Sequence, residues 1–266
     1  MSIKTIAGKI LANNPVSRIY FFLFKKRISF NHLTIRTIAF MLRQRIPFHG
    51  LTIDVSEKVI TPLTKSLLYY QIYEKPEVTF VQKHLAADDD VIELGSSIGV
   101  MGSIVSRIQT SGRYISVEAD PALINANNKN MTLNRKTDYT LLNKAIDYSN
   151  ATVSFSVSDS SLSGKVSSDG LGKSTVTVGT ITLDNICTAY DFGKYTLISD
   201  IEGAEITILL NDEPALKKCG KMIIELHDTV YGGKKYSIKD MTELIISNGF
   251  ALADQERAVF VFIKNK

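Results

Sequence analysis

Val91-Ile92-Glu93-Leu94-Gly95-Ser96-Ser97-Ile98-Gly99 sets a run of strand length against a G-x-x-x-G turn, and from Val100 to Gln109 the apolar residues return at helical spacing. A strand that breaks at glycines and continues as a helix is the opening unit of a parallel α/β sheet. The same alternation continues downstream. Strands are predicted at Tyr114–Val117, Tyr139–Leu142, Tyr195–Ser199 and Met222–Leu226, and helices near Pro121–Leu133, Ala204–Leu210 and Ile238–Asn248. Ala251–Ala253 and Ala258–Ile263 read as a terminal hairpin turning at Gln255-Glu256-Arg257, and residues 149–180, rich in Ser, Thr, Val and Gly, as a β insertion or long loop. Upstream, Gly50–Val55 alternates like a short strand, and Pro62–His84 reads as helical segments broken near Pro76.

Three stretches carry chemistry. Glycines at a strand-to-helix turn let the backbone approach a ligand, and the helix start offers unpaired N–H groups. Dinucleotide sites usually space these glycines as G-x-G-x-x-G; here Gly95 and Gly99 are four apart, with Glu93 two residues ahead of the first. A carboxylate there repels a pyrophosphate and suits a ligand with a cationic end, such as a sulfonium or an amino group. The second strand ends in Glu118, 19 residues beyond Gly99, where an acid accepts hydrogen bonds from ribose hydroxyls. The third stretch is Leu197-Ile198-Ser199-Asp200-Ile201-Glu202-Gly203-Ala204-Glu205, in which Asp200 and Glu202 alternate past a strand end and point to one side. Glu225 and His227 repeat that spacing after Met222-Ile223-Ile224. Glu205 also reads as an acid favoured by a helix N-terminus, and His227 as a hydrogen-bonded core histidine.

Taken in order, Glu93-Leu94-Gly95-Ser96-Ser97-Ile98-Gly99, Val117-Glu118-Ala119-Asp120-Pro121, Thr182-Leu183-Asp184, Asp200-Ile201-Glu202-Gly203-Ala204-Glu205 and Ile224-Glu225-Leu226-His227 resemble the FkbM-type methyltransferases over roughly residues 70 to 263. The resemblance implies a Rossmann-like class I methyltransferase fold, a mostly parallel seven-stranded sheet with an antiparallel terminal hairpin; the basic helical N-terminal segment that precedes it, residues 1–50, falls outside the shared pattern. The resemblance implies S-adenosyl-L-methionine as cofactor, held by Glu93, Gly95, Ser96, Ser97, Gly99, Glu118, Ala119 and Asp200. It also implies O-methylation of a hydroxyl on a sugar, a glycan precursor or another small molecule. A sugar hydroxyl is a poor nucleophile, so a base assists: His227 or Asp200, with Glu202 orienting the acceptor or the base. Two departures stand out, Glu93 where the family usually has Asp, and Ser96-Ser97 where it usually has Ala-Asn.

No Cys or His pattern has compact metal-ligand spacing, so no metal is assigned. A divalent ion among Asp200, Glu202 and His227 would suit an oxygen-rich set, but no compact motif argues for one. Two rivals stand beside the methyltransferase reading. One is a non-catalytic binding protein that keeps the fold. The other is a nicotinamide oxidoreductase, because Tyr190-Asp191-Phe192-Gly193-Lys194 spells Y-x-x-x-K; there Gly193 argues against the helix that motif needs.

The chain of 266 residues with 44% hydrophobic content has enough material for one substantial core. Its net charge of +4 hides an uneven distribution. Residues 1–50 hold nine basic side chains (Lys4, Lys9, Arg18, Lys25, Lys26, Arg27, Arg36, Arg43 and Arg45) and no acid, leaving 22 basic against 27 acidic side chains in the rest. With Ile3, Ile6, Ile10 and Ile19–Phe24 interleaved, this segment reads as basic amphipathic helices that either pack on the main domain or lie on an anionic membrane surface, with nucleic acid the least favoured partner. Residues 51–87 form a lead-in that covers the acceptor site, and 88–266 the catalytic domain. Tyr69, Tyr70 and Tyr73 in that lead-in read as core, or as platforms for a sugar ring. Two distant cysteines, no apolar run of the ~18 residues that span a bilayer and no signal peptide point to a cytoplasmic protein, peripheral at the inner face of a membrane if the basic segment binds one.

Overall fold

The computed structural model describes residues 32–135, 138–156 and 175–265. Ile3, Ile6, Ile10 and most of the basic segment lie outside them, as does the middle of the 149–180 insertion.

The centre of the molecule is a seven-stranded sheet. Its strands are β3 (Val91–Leu94), β4 (Tyr114–Glu118), β5 (Thr140–Asn143), β9 (Tyr195–Ser199), β10 (Cys219–Glu225), β13 (Phe250–Glu256) and β14 (Val259–Lys264). They lie in the order β13-β14-β10-β9-β3-β4-β5. The run from β10 to β5 is parallel, and β14 enters antiparallel beside β10. The chain builds β3, β4 and β5 outward in one direction, then crosses to the other side of β3 to lay down β9 and β10. The carboxyl ends of β3 and β9 therefore meet where the winding reverses, the place at which open α/β sheets bind ligands.

The central strands are apolar on both faces because helices cover both. On one face Val91, Ile198, Ile223 and Val261 pack with α3 (Lys75–His84), α4 (Val100–Ile108) and α5 (Pro121–Asn134). On the other, Ile92, Leu94, Leu197, Ile224 and Phe262 pack with α6 (Leu183–Ala189), α7 (Glu205–Asn211), α8 (Glu213–Lys218) and α9 (Ile238–Ser247). Burying each such side chain contributes roughly 1.5–3 kcal/mol, so these two layers dominate stability. The helices begin where the sequence supplies caps: Asp120 accepts from the Ala122 N–H ahead of Pro121, Thr182 from Asn185, and Ser237 forms a capping box with Asp240.

The lead-in departs from a simple appendage. β2 (Leu51–Asp54) pairs with β1 (Arg45–Phe48), so a hairpin crosses the division expected at residue 50. Its core side chains, Ile46, Phe48 and Ile53, join the same cluster as Val91. The free edge of β2 is closed by α5. Asn130 Oδ1 accepts from Asp54 N–H at 2.7 Å, and Asn134 Oδ1 accepts from Thr52 N–H at 3.1 Å while its amide donates to Thr52 O at 2.8 Å. Two asparagines one turn apart stand in for a neighbouring strand. Within the basic segment, α1 (His32–Met41) buries Ile35 and Ala39 against the core but leaves Phe40 and Met41 76% and 75% exposed. The helical stretch predicted over Pro62–His84 breaks at residues 70–74, between α2 (Pro62–Tyr69) and α3, and Pro76 sits in the first turn of α3.

The insertion folds as β7 (Thr152–Ser156) paired with β8 (Thr175–Ile181), which also runs beside β6 (Ala145–Ile146). A further hairpin, β11 (Thr229–Tyr231) with β12 (Lys234–Tyr236), follows the end of β10. Among the described residues, no helix is long and apolar enough to cross a membrane. Cys187 and Cys219 are buried free thiols.

Candidate active site

The glycine turn is built against β4 and α5. Gly95 and Ser96 donate their N–H groups to Val117 O at 2.9 and 3.1 Å, which folds the turn over the end of β4. Gly95 has φ +82°, and a Cβ built on it would lie 1.9 Å from Asp200 O; only glycine lets the turn press against the end of β9. Asn127 of α5 clamps the loop by donating to Ser96 O, Ser96 Oγ and Ser97 O at 3.0 to 3.2 Å. Ser97, at φ 45°, turns its N–H to Glu118 Oε2 at 2.7 Å. Glu118 Oε1 accepts from Asp120 N–H at 2.7 Å, and Asn143 holds the Glu118 and Ala119 carbonyls. The buried Glu118 carboxyl is thus fixed at the end of β4, and burial pushes its pKa up to about 7 against the pull of the two N–H donors.

Glu93 is placed differently from the sequence-based expectation. Its side chain points beneath α4, is 2% exposed and accepts a hydrogen bond from Tyr114 OH, with the Arg135 guanidinium stacked on the Tyr114 ring at 4.5 Å. Burial raises it to about 7. Alternation along β3 explains the placement: Leu94 takes the other face, so Glu93 faces α4 rather than the carboxyl edge. Ser96 is likewise turned inward and spent on Asn127.

Across the switch point, the ends of β9 and β10 bring together Asp200, Glu202, Glu205, Glu225 and His227. Glu202 at φ 53° and Gly203 at φ +100° fold the chain back, so that the fully buried Glu205 accepts from the Ile201 and Gly203 N–H groups, both at 2.8 Å. Glu205 therefore closes the loop at the start of α7 and also faces His227, 3.8 Å from Nδ1. The other ring nitrogen, Nε2, looks toward Glu202 Oε2 at 3.8 Å, Glu225 Oε1 at 3.8 Å and Asp200 Oδ1 at 4.0 Å. All four separations are ion-pair distances, longer than hydrogen bonds. Glu205 above all, then Asp200 and Glu225, push the imidazole up to about 9, while burial and the neighbouring carboxylates, Glu225 first, push Asp200 up to about 7. Asp200 Oδ1, His227 Nδ1 and Ser199 Oγ are buried without hydrogen-bond partners.

Two further acids join this side that the sequence reading did not single out. Glu74, at φ 42° before α3, and Glu77 in its first turn add acid here; burial raises both, Glu77 to about 8, with Glu77 and then Asp200 adding to the rise of Glu74 and Glu225 to that of Glu77. Glu77 Oε2 is buried and unpartnered. The available signal was the acid in the first turn of α3; nothing local linked it to β10. Tyr73 is core, as the commoner reading had it, and its hydroxyl reaches Ser97 Oγ at 3.5 Å; Tyr69 and Tyr70 pack on each other. Glu74, Ser97 and Glu202 all hold left-handed backbone conformations, which cost of order 1 kcal/mol each. Tyr190 caps the end of α6 and Lys194 precedes β9, so the two residues of Y-x-x-x-K share no helix face.

Comparison with known proteins gives one family. The model described as "Methyltransferase FkbM domain" matches residues 93–252. No curated protein matches the chain. Among solved structures, a ribosomal protein L11 methylase from Lactobacillus delbrueckii subsp. bulgaricus is 10% identical with a TM-score of 0.45, covering 73% of this chain and 80% of its own. A magnesium protoporphyrin IX methyltransferase from Synechocystis PCC 6803 with bound S-adenosylmethionine is 11% identical with a TM-score of 0.40, covering 72% and 77%. A methyltransferase from Pyrococcus furiosus is 16% identical with a TM-score of 0.43, covering 88% and 96%. No functional reading rests on likenesses at this level.

Proposed function

Because the chain belongs to the FkbM methyltransferase family, we propose that it transfers the methyl group of S-adenosylmethionine to a hydroxyl oxygen, of a sugar or glycan precursor, at the carboxyl edge of β9 and β10. The observation that carries this reading is the cluster of carboxylates and one imidazole beside the glycine turn, with a buried Asp200 oxygen that no protein group satisfies. An excess of acid at that edge fits a cofactor with cationic sulfonium and amino groups. The cofactor supplies an electrophilic methyl group, which the acceptor oxygen takes by in-line displacement with loss of S-adenosylhomocysteine.

The protein's own residues then have distinct tasks. Glu118, already fixed by Ser97 and Asp120, accepts the ribose hydroxyls. Gly95 and Gly99 let the backbone come close, and Ser97 shapes the turn. Asp200 takes the acceptor proton, because its carboxylate has a buried oxygen on this edge that no protein group satisfies. His227, steadied by Glu205, and Glu202 orient the acceptor. Glu93 acts from beneath the turn, supporting α4 through Tyr114.

Calorimetric titration with S-adenosylhomocysteine and NADH, followed by a screen of glycan hydroxyl acceptors read by mass spectrometry, tests the proposal. Micromolar adenosyl binding and methylated product support it. Binding without transfer to any hydroxyl acceptor would leave a protein that keeps the fold and has lost the chemistry.

A second reading concerns where the enzyme works. The exposed pair Phe40 and Met41 is flanked in sequence by the exposed Arg36, Arg43 and Arg45, a combination that suits the anionic face of a membrane. Flotation with phosphatidylserine vesicles, reduced by replacing Phe40 and Met41 with serine and absent with phosphatidylcholine, supports this. Equal recovery with both lipids would sink it.

A further inference from the structure

The cluster past β9 and β10 holds more negative charge than one imidazole balances. Asp200, Glu202 and His227 each offer a ligand atom, and these atoms all lie within 4.8 Å of one another. They come from two strand ends that the switch point brings together, so no compact sequence motif announces them.

A buried carboxylate stands behind the imidazole, 3.8 Å from its Nδ1. Its Nδ1 faces the buried Glu205, whose two oxygens are held by the Ile201 and Gly203 N–H groups, and its Nε2 is thereby turned to the carboxylates of Glu202, Asp200 and Glu225. A carboxylate behind a histidine fixes the ring and raises its basicity toward a metal. An independent observation comes from α3. Glu77, 8% exposed, keeps one buried oxygen with no hydrogen-bond partner and faces the Glu225 carboxyl, which itself reaches His227. With the buried Asp200 Oδ1, it gives two carboxylate oxygens by the cluster that no protein group satisfies.

We infer that Asp200, Glu202 and His227 bind one divalent cation, Mg²⁺ or Mn²⁺, with Glu225 and Glu77 forming its outer acidic shell. Two carboxylates and one imidazole leave positions open in an octahedral site, and those positions take acceptor oxygens. This rests on the methyl-transfer reading for its purpose. The acceptor class is accordingly one that presents two neighbouring oxygens, such as a vicinal diol of a sugar ring. The cation draws the attacking oxygen into place and makes its proton easier to lose; Asp200 gives one oxygen to the cation and keeps the other for that proton.

The test is a titration of the chelator-treated full chain with Mn²⁺, followed by electron paramagnetic resonance, with S-adenosylhomocysteine binding measured by calorimetry on the same sample. The expected result is one Mn²⁺ per chain, weakened at least ten-fold in Glu202→Gln and in His227→Gln, both of which still bind S-adenosylhomocysteine. Glu202 is partly exposed and makes no hydrogen bond that folding needs, so its variant is the safer of the two. Saturable Mn²⁺ binding without adenosyl binding would support the site and overturn the methyl-transfer reading. No saturable Mn²⁺ binding by protein that binds S-adenosylhomocysteine, or binding unchanged in both variants, would overturn the site.

Discussion

The two halves of the candidate site are finished to different degrees. Around the glycine turn, Asn127, Ser97, Glu118 and Asn143 are tied together by hydrogen bonds of 2.7 to 3.2 Å. Across the switch point, Asp200, Glu202 and Glu225 each stand 3.8 to 4.0 Å from His227 Nε2, with Asp200 Oδ1 and His227 Nδ1 buried and unpartnered. The first half is a frame whose polar groups are already satisfied by one another. The second crowds acids around one imidazole, and their mutual repulsion and burial raise Asp200 to about 7, a setting expected where charge changes during a reaction.

The comparison breaks most readily at Gly95, where the halves touch. Gly95→Ala puts a methyl group into the Asp200 carbonyl at a left-handed φ, and a loss on the order of 4 kcal/mol in denaturant unfolding is expected, together with adenosyl binding. Near-native stability would mean the contact is not needed. Next comes Glu118→Ala, which removes a carboxylate from the finished half and leaves two N–H groups behind. A fall of roughly 2 kcal/mol in S-adenosylhomocysteine affinity, about thirty-fold by calorimetry, is expected.

Charge distinguishes the halves further. Asp200→Asn should abolish most methyl transfer yet stabilise the unliganded protein by about 1 kcal/mol, because it removes a charge from a crowded edge. A destabilised variant would show that Asp200 is held by partners after all. Glu93 and Glu118 both have folded pKa values raised to about 7 by burial. A carboxyl with a raised folded pKa binds its proton more tightly when folded, so its contribution is full below the unfolded value and is lost as pH rises through about 7. The melting temperature of the unliganded chain should therefore decline between about pH 4.5 and 7, and the Glu118 share of that decline should vanish in Glu118→Gln. The smallest effect is expected from Tyr73→Phe, whose hydroxyl reaches Ser97 only at 3.5 Å: under about 1 kcal/mol in stability, with adenosyl affinity nearly unchanged.

What was legible in the sequence was local. The glycine turn, the acid 19 residues on, the Asp200–Glu205 stretch and the terminal hairpin all follow from periodicity and spacing within one βα unit or one turn. Boundaries moved by only a few residues, and β10 starts three earlier than predicted because Cys219 and Lys221 already pair with β9. What was missed depends on distant partners. β1 falls at the end of the segment read as basic helices, and it becomes a strand by pairing with β2. Glu77 looks like an ordinary first-turn acid until α3 lands beside β10.

The sequence by itself determined the class of sheet, the family, the glycine turn and the acid at the end of β4, because each is written in residues that are neighbours along the chain or one crossover apart. Only the tertiary structure decided that Glu93 faces Tyr114 rather than the ligand edge, that Glu205 stands behind His227, and that Asp200, Glu202 and His227 converge. Those outcomes turn on strand alternation, on the reversal of winding at β3 and on which side chains burial leaves without a partner, and they exist only once the strands lie side by side.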